Sequence, residues 1–110
     1  MNQGEIWHTN LNPVKGSEQS GMRPAVIVSG SVANIHLNAV ICCPLTTKVK
    51  NYKGKVVLKP NISNKLTKAS EILTFHICSI SKARLVRKIG VISKEELQQI
   101  RGGFDDIWRY

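Results

Sequence analysis

Spacing removes most of the side chains in this sequence that could do chemistry. Cys42 and Cys43 are adjacent, Cys78 is distant, and His8, His36 and His76 are each isolated, so neither Cys-x-x-Cys nor His-x-x-x-His occurs. No metal site of those kinds is expected. The sequence also lacks a Walker loop, a G-x-G-x-x-G and a G-x-S-x-G, which sets aside nucleotide-driven enzymes and serine hydrolases of those types. What remains is Arg23, at the end of the polar stretch Asn12 to Met22 (NPVKGSEQSGM), and the Thr46-Thr47 pair. A guanidinium carries a fixed charge and paired N–H donors, and a hydroxyl adds another donor, a combination that suits an anion. Both also have plain readings. Arg23 before Pro24 can be a turn residue paired with a carboxylate such as Glu18, and the threonines can be ordinary β-formers.

The elements that must carry these residues read mostly as short strands. Runs rich in Val and Ile, bounded by Gly, Pro, Asn and Ser, predict strands over Glu5 to Leu11, Ala25 to Ser29, Ala39 to Thr46, Lys55 to Lys59 and Glu71 to Ile80. Arg84 to Lys88 is a candidate for one further short strand. AVIVS and AVICCPL are almost wholly apolar, as central strands are, while Pro44 predicts an edge or a bulge near the end of the second. Asn12 to Met22 reads as a long loop of the kind that carries function. Asn51 to Gly54 is a turn and Pro60 to Lys68 a second polar loop.

The period changes at the C-terminus. Ser93 and Glu96 spell a capping box, with Ile92 and Leu97 placed for the hydrophobic staple. Leu97, Ile100, Phe104 and Ile107 or Trp108 then recur at helical spacing. Gly102 and Gly103 each cost about 1 kcal/mol relative to alanine, which predicts a bend or fraying after the second turn. The expected fold is mainly β (β+α): a small SH3-like antiparallel β barrel with a C-terminal α-helix.

With 110 residues, the chain has room for one modest core, so residues 1–110 are expected to form a single domain. At 42% apolar it is no disordered polycation, despite a net charge of +9. Between Lys48 and Lys88 eleven Lys or Arg face one acid, Glu71. That is either a solvated face or the footprint of a polyanion. No run approaches the length of a membrane span, no secretory signal is visible, and three cysteines make no disulfide framework. A cytoplasmic setting fits.

Longer strings of residues carry a resemblance. GEIW at 4–7, N-P-V-K-G-S-E-Q-S-G-M-R-P-A-V-I-V-S at 12–29, C-P-L-T-T-K at 43–48, S-E-I-L-T-F-H-I-C-S-I-S-K-A-R-L at 70–85 and the Ser93 helix resemble the MazF/PemK (Kid-like) toxins over nearly the whole chain. The resemblance implies a MazF/CcdB-like barrel and a sequence-specific endoribonuclease, an mRNA interferase that cuts single-stranded RNA without a metal or other cofactor. It further implies a homodimer, away from membranes, neutralised by a cognate antitoxin with an acidic segment.

Carried over residue by residue, Arg23 falls on the family's catalytic arginine and Thr46 on its catalytic threonine. Lys15, Gly16, Ser17, Glu18 and Gln19 fall on the loop that shapes the site, and Thr47, Lys48 and His76 on its substrate-binding surround. Lys15, Lys48, Lys50 and Lys53 are suited to phosphate contacts. Attack by the ribose 2′-OH passes through a phosphorane with added negative charge, which Arg23 and Thr46 can stabilise by donation. A guanidinium stays protonated at neutral pH, so Arg23 is assigned charge stabilisation and not base catalysis.

The sequence also departs from the pattern. Many relatives read E-Q-I-R-T-I-D where this chain has Phe75-His76-Ile77-Cys78-Ser79-Ile80-Ser81. The Arg and Asp pair of the Kid branch falls on Leu73 and Phe75, so that mechanism does not transfer. His76 brings an imidazole, which can accept a proton, or it simply replaces the glutamine's hydrogen bonds. Trp7 is expected in the core, and Trp108 in the core or at a partner contact. The alternatives are a CcdB-like gyrase-targeting toxin and a catalytically degenerate RNA- or antitoxin-binding protein on the same barrel.

Overall fold

The computed structural model describes residues 1–11, 22–50 and 55–109, with the side chains of 107–109 left aside. Seven strands form a curled antiparallel sheet: β1 (Glu5–Asn10), β2 (Met22–Ile27), β3 (Ala39–Thr46), β4 (Val56–Leu58), β5 (Ser70–Ile72), β6 (Cys78–Ser81) and β7 (Leu85–Val91). Their order is β4-β5-β3-β2-β1-β7, with β6 also on β3. Two helices complete the fold, α1 (Ser31–His36) and α2 (Lys94–Arg109).

The alternation of side chains sends two cores to opposite faces of the sheet. Ile6, Val26, Cys43, Leu45, Val56, Leu58 and Ile72 pack with Ile92 and Ile100 of the C-terminal segment. On the other face Ile27, Val40 and Leu85 pack with Trp7 and Ile80. Trp7 is therefore a core residue whose Nε1 donates to Glu5 Oε1 at 2.9 Å. Lys88 Nζ reaches the second oxygen of that buried carboxylate at 3.3 Å.

The predicted capping box forms in full: Glu96 N–H donates to Ser93 Oγ at 3.1 Å and Ser93 N–H to Glu96 Oε1 at 2.8 Å. Leu97 and Phe104 pack on the first core beside Ile100. The helix runs unbroken through Gly102 and Gly103 to Arg109, so the fraying expected there does not occur. Tertiary packing of its apolar face outweighs the weak propensity.

Three further readings are corrected. The stretch from Glu71 to Ile80 is not one strand but β5, a 3₁₀ turn over Thr74–His76, and β6. The cause lies opposite, at Pro44. Its carbonyl accepts from Leu73 N–H at 2.9 Å, on the same edge where its missing amide would have donated, so the neighbouring strand cannot continue its ladder there. Pro44 thus sits in a central strand and breaks its partner. Arg84 to Lys88 extends to the seven-residue β7, which pairs along β1 from Glu5–Val91 to Thr9–Leu85. Finally α1 has no counterpart in the sequence reading. It has no side-chain cap and is held by buried Asn34, which donates to Met1 C=O at 3.0 Å and Ser29 C=O at 3.1 Å.

Candidate active site

β2 and β3 run antiparallel with Ala25 opposite Pro44. Continued two residues outward, that register sets Arg23 across from Thr46, where the strands splay at the end of the sheet. Thr46 also faces Glu71 on its other side. The third wall is the 3₁₀ turn forced by Pro44, which carries Phe75 and His76. These elements enclose a cavity of about 870 Å³ lined by Arg23, Thr46, Thr47, Lys48, Phe75 and His76 among others.

The backbone leaving β3 is tied down at three points. Lys48 N–H donates to Thr46 Oγ1 at 3.2 Å, Val49 N–H to Thr47 C=O at 3.1 Å, and Lys50 N–H to Glu71 Oε1 at 3.1 Å. Because Thr46 Oγ1 is the acceptor in the first of these, its own proton remains available to donate into the cavity. The Glu71 side chain is almost wholly buried, and its other oxygen lies 3.7 Å from Lys55 Nζ. Lys55 in turn stands over the Phe75 ring, 5.1 Å from its centroid, a cation–π distance.

The cavity therefore holds four cations, Arg23, Lys48, Lys50 and Lys55, against one acid, which is paired with the Lys55 ammonium and accepts the Lys50 backbone amide. Such a surface attracts an anion and leaves donors to orient it. Among the described residues no group of three or more His, Cys, Asp or Glu is placed to hold a metal ion. No helix among them is long and apolar enough to cross a membrane.

Of the residues singled out in the sequence, the structure brings Arg23, Thr46, Thr47, Lys48, Lys50 and His76 to one cavity. Lys15, Gly16, Ser17, Glu18, Gln19 and Lys53 lie outside the described residues. Sequence reasoning missed Lys55, Glu71 and Phe75 as site residues. Glu71 carried a signal, as the lone acid among eleven basic residues. Phe75 is 68% exposed, and its sequence neighbourhood gave no hint of that, because it read as part of a strand.

Comparison with known proteins agrees with this geometry. The family of PemK-like, MazF-like toxins of type II toxin–antitoxin systems matches residues 2–107. An endoribonuclease MazF of Staphylococcus saprophyticus is 32% identical, with 96% of this chain and 88% of that protein aligned. The endoribonuclease toxin MazF of Escherichia coli K12 is 34% identical over 89% of this chain and 85% of its own length. The crystal structure of MazF from Deinococcus radiodurans superposes with a TM-score of 0.83 at 25% identity, covering 100% of this chain and 97% of that one. With sequence match and fold in agreement over nearly its whole length, the chain belongs to the PemK-like, MazF-like family of type II toxins.

Proposed function

We propose that this chain is a sequence-specific, metal-independent endoribonuclease toxin that cuts single-stranded RNA. The observation that carries the reading is the meeting of Arg23 and Thr46, 23 residues apart in the chain, at one cationic cavity. The 2′-OH attacks the adjacent phosphorus and gives its proton to water, a P–O bond forms, the bond to the 5′-oxygen breaks, and that oxygen takes up a proton from water. The products are a 2′,3′-cyclic phosphate and a 5′-OH. Arg23 donates to the non-bridging oxygens as they gain charge, and the Thr46 hydroxyl adds a second donor. His76, exposed on the 3₁₀ turn and lining the cavity, hydrogen-bonds the bound RNA.

Thr47, Lys48, Lys50 and Lys55 bind the flanking phosphates, and Lys15, Gly16, Ser17, Glu18 and Gln19 shape the RNA sequence preference. The partners are RNA, a cognate antitoxin with an acidic segment that competes for the same cations, and a second copy of the chain. The exposed apolar side chains of Val32, Ile35 and Leu37 on and after α1 support the homodimer, since such a patch favours contact between copies. The setting is the cytoplasm.

The test is incubation of purified protein with end-labelled single-stranded RNAs in EDTA, with Arg23→Ala and Thr46→Ala alongside. Site-specific cuts ending in cyclic phosphate, lost in both variants, are expected. Absence of cutting across varied sequences overturns the nuclease reading, and inhibition of gyrase instead would place the chain with CcdB-like toxins.

A further inference from the structure

Cys42 and Cys78 are register partners across the β3–β6 ladder, so their side chains share one face of the sheet. The next pair on that face is Val40 and Ile80, both packed in the second core. Cys42 is fully buried, Cys78 half-buried, and neither is in a disulfide. Val28 N–H bonds to Ile41 C=O and Leu73 N–H to Pro44 C=O, so on β3 the even-numbered residues address the β5–β6 side. Cys42 and Cys78 are therefore a hydrogen-bonded pair, with Cα atoms about 5.5 Å apart. Disulfides span Cα separations of about 4.4–6.8 Å, with Cβ atoms about 3.5–4.5 Å apart. Closing this one requires the Cβ atoms to approach by about 1 Å. Cys78 is the first residue of β6, directly after the 3₁₀ turn that interrupts the ladder.

The three thiols differ in reactivity. Burial, reinforced by Cys78, pushes the Cys43 thiol up to about 12 and leaves it inert. Hydrogen bonding with Cys42 lowers the Cys78 thiol to about 7 against the opposing effect of burial, while the same interaction and burial push Cys42 up. One partly accessible nucleophilic thiol thus faces one buried resolving thiol.

We propose that Cys42 and Cys78 are a hydroperoxide-oxidised dithiol that closes into a reversible cross-strand disulfide beside the cavity wall. In the first step the Cys78 thiolate attacks one peroxide oxygen. An S–O bond forms, the O–O bond breaks, and the departing hydroxide takes up a proton as water. In the second step the Cys42 sulfur attacks the Cys78 sulfenic acid, an S–S bond forms, the S–O bond breaks, and hydroxide leaves with the Cys42 proton as a second water. Two thiols lose two hydrogens and one peroxide is reduced to two waters. The strain of drawing the Cβ atoms together makes this a readily reduced bond. Its formation pulls the start of β6, and with it the turn bearing Phe75 and His76, toward β3. The inference does not depend on the nuclease reading.

The experiment treats the reduced, folded full chain with hydrogen peroxide, blocks remaining thiols and maps the cysteines by mass spectrometry. An intramolecular Cys42–Cys78 bond with loss of two hydrogens is expected, reversed by dithiothreitol, retained in Cys43→Ser and absent in Cys78→Ser. In Cys42→Ser, which keeps a hydrogen-bond donor beside Cys78 but no resolving sulfur, the reaction stops at a Cys78 sulfenic acid that dimedone traps. Overoxidation of Cys78 without bond formation in the parent chain, a Cys42–Cys43 bond, or a Cys78–Cys78 bond between chains would each overturn the proposal.

Discussion

Lys55 Nζ lies 3.7 Å from Glu71 Oε2, and the same carboxylate accepts the Lys50 amide through its other oxygen at 3.1 Å. One buried acid therefore holds two cation-bearing segments of the cavity wall in place. Glu71→Gln keeps an acceptor for the amide but loses the ion pair, with an expected cost of about 1–3 kcal/mol in urea unfolding. Glu71→Leu leaves both partners unpaired and should cost about 3–5 kcal/mol. RNA affinity should fall in both, because Lys55 loses its anchor, and further in Glu71→Leu, where the Lys50 amide loses its acceptor as well.

Arg23 and Thr46 are expected to affect the chemical step more than binding. Removal of one preorganised donor to a developing oxyanion costs about 10²–10³ in rate, so Arg23→Ala and Thr46→Val should each lose about that much in single-turnover cleavage. Arg23→Lys should recover little, because an ammonium replaces a planar fork with a point charge. Thr46→Ser should recover most activity, since it keeps both the donor and the acceptor for Lys48 N–H. Near-full activity in Arg23→Lys would remove the two-donor role.

RNA binding should separate into a charge component and a stacking component. If Arg23, Lys48, Lys50 and Lys55 each neutralise one phosphate, log affinity falls against log salt with a slope of roughly −3, and Lys50→Gln reduces it by about 0.7. Phe75, exposed at the rim, offers a base its ring face. Phe75→Ala should weaken binding of a cleavage-resistant 2′-deoxy substrate by about 5- to 100-fold at unchanged salt slope, with Phe75→Trp restoring it. A flat salt response would mean the positive charge is only a solvated face.

Acid stability should depend on Glu5. Burial alone would raise its carboxyl, but hydrogen bonds from Trp7, the Asn2 backbone and Lys88, with the Lys88 charge, outweigh burial and lower it from the ordinary 4.5. A carboxylate lowered in the folded state binds its proton more readily when unfolded. Its contribution is therefore full above the unfolded value and is lost as pH falls through the folded one. Thermal unfolding followed below about pH 5 should show this loss, and Glu5→Gln should flatten that part of the profile.

The parts of the fold written in local residue types were legible in the sequence. Ser93 and Glu96 specify their helix start through mutual hydrogen bonds, and the apolar runs of β2 and β3 mark the centre of the sheet. Where structure depends on a neighbour distant in sequence, the reading failed. Pro44 was visible as a disturbance, but its effect falls on residues 74–76 across the ladder. That effect turns His76 and Phe75 into cavity wall. Helix α1 escaped because six residues with outward apolar side chains and no cap carry no periodic signal; it is tied to the fold by buried Asn34 and by Ser31, whose Oγ accepts from the Gln3 amide. Arg23 and Thr46 were picked out by resemblance, since residue types alone left them as a turn arginine and a β-former.

One contact described by neither core bears on how copies of this chain meet. Val91 N–H donates to Ser63 C=O at 3.0 Å, and Gly90 lies so close to the Ser63 and Asn64 carbonyls that a Cβ there would collide with them. The loop between β4 and β5 thus covers the outer edge of β7 at its Gly90–Val91 end, while at the other end of the strand order lies the three-residue β4, flanked by Lys55 and Lys59. Open strand edges invite pairing with another chain, and a covered edge and a short lysine-flanked one both discourage it. Strand addition, which has no natural stopping point, is thereby discouraged at those two places.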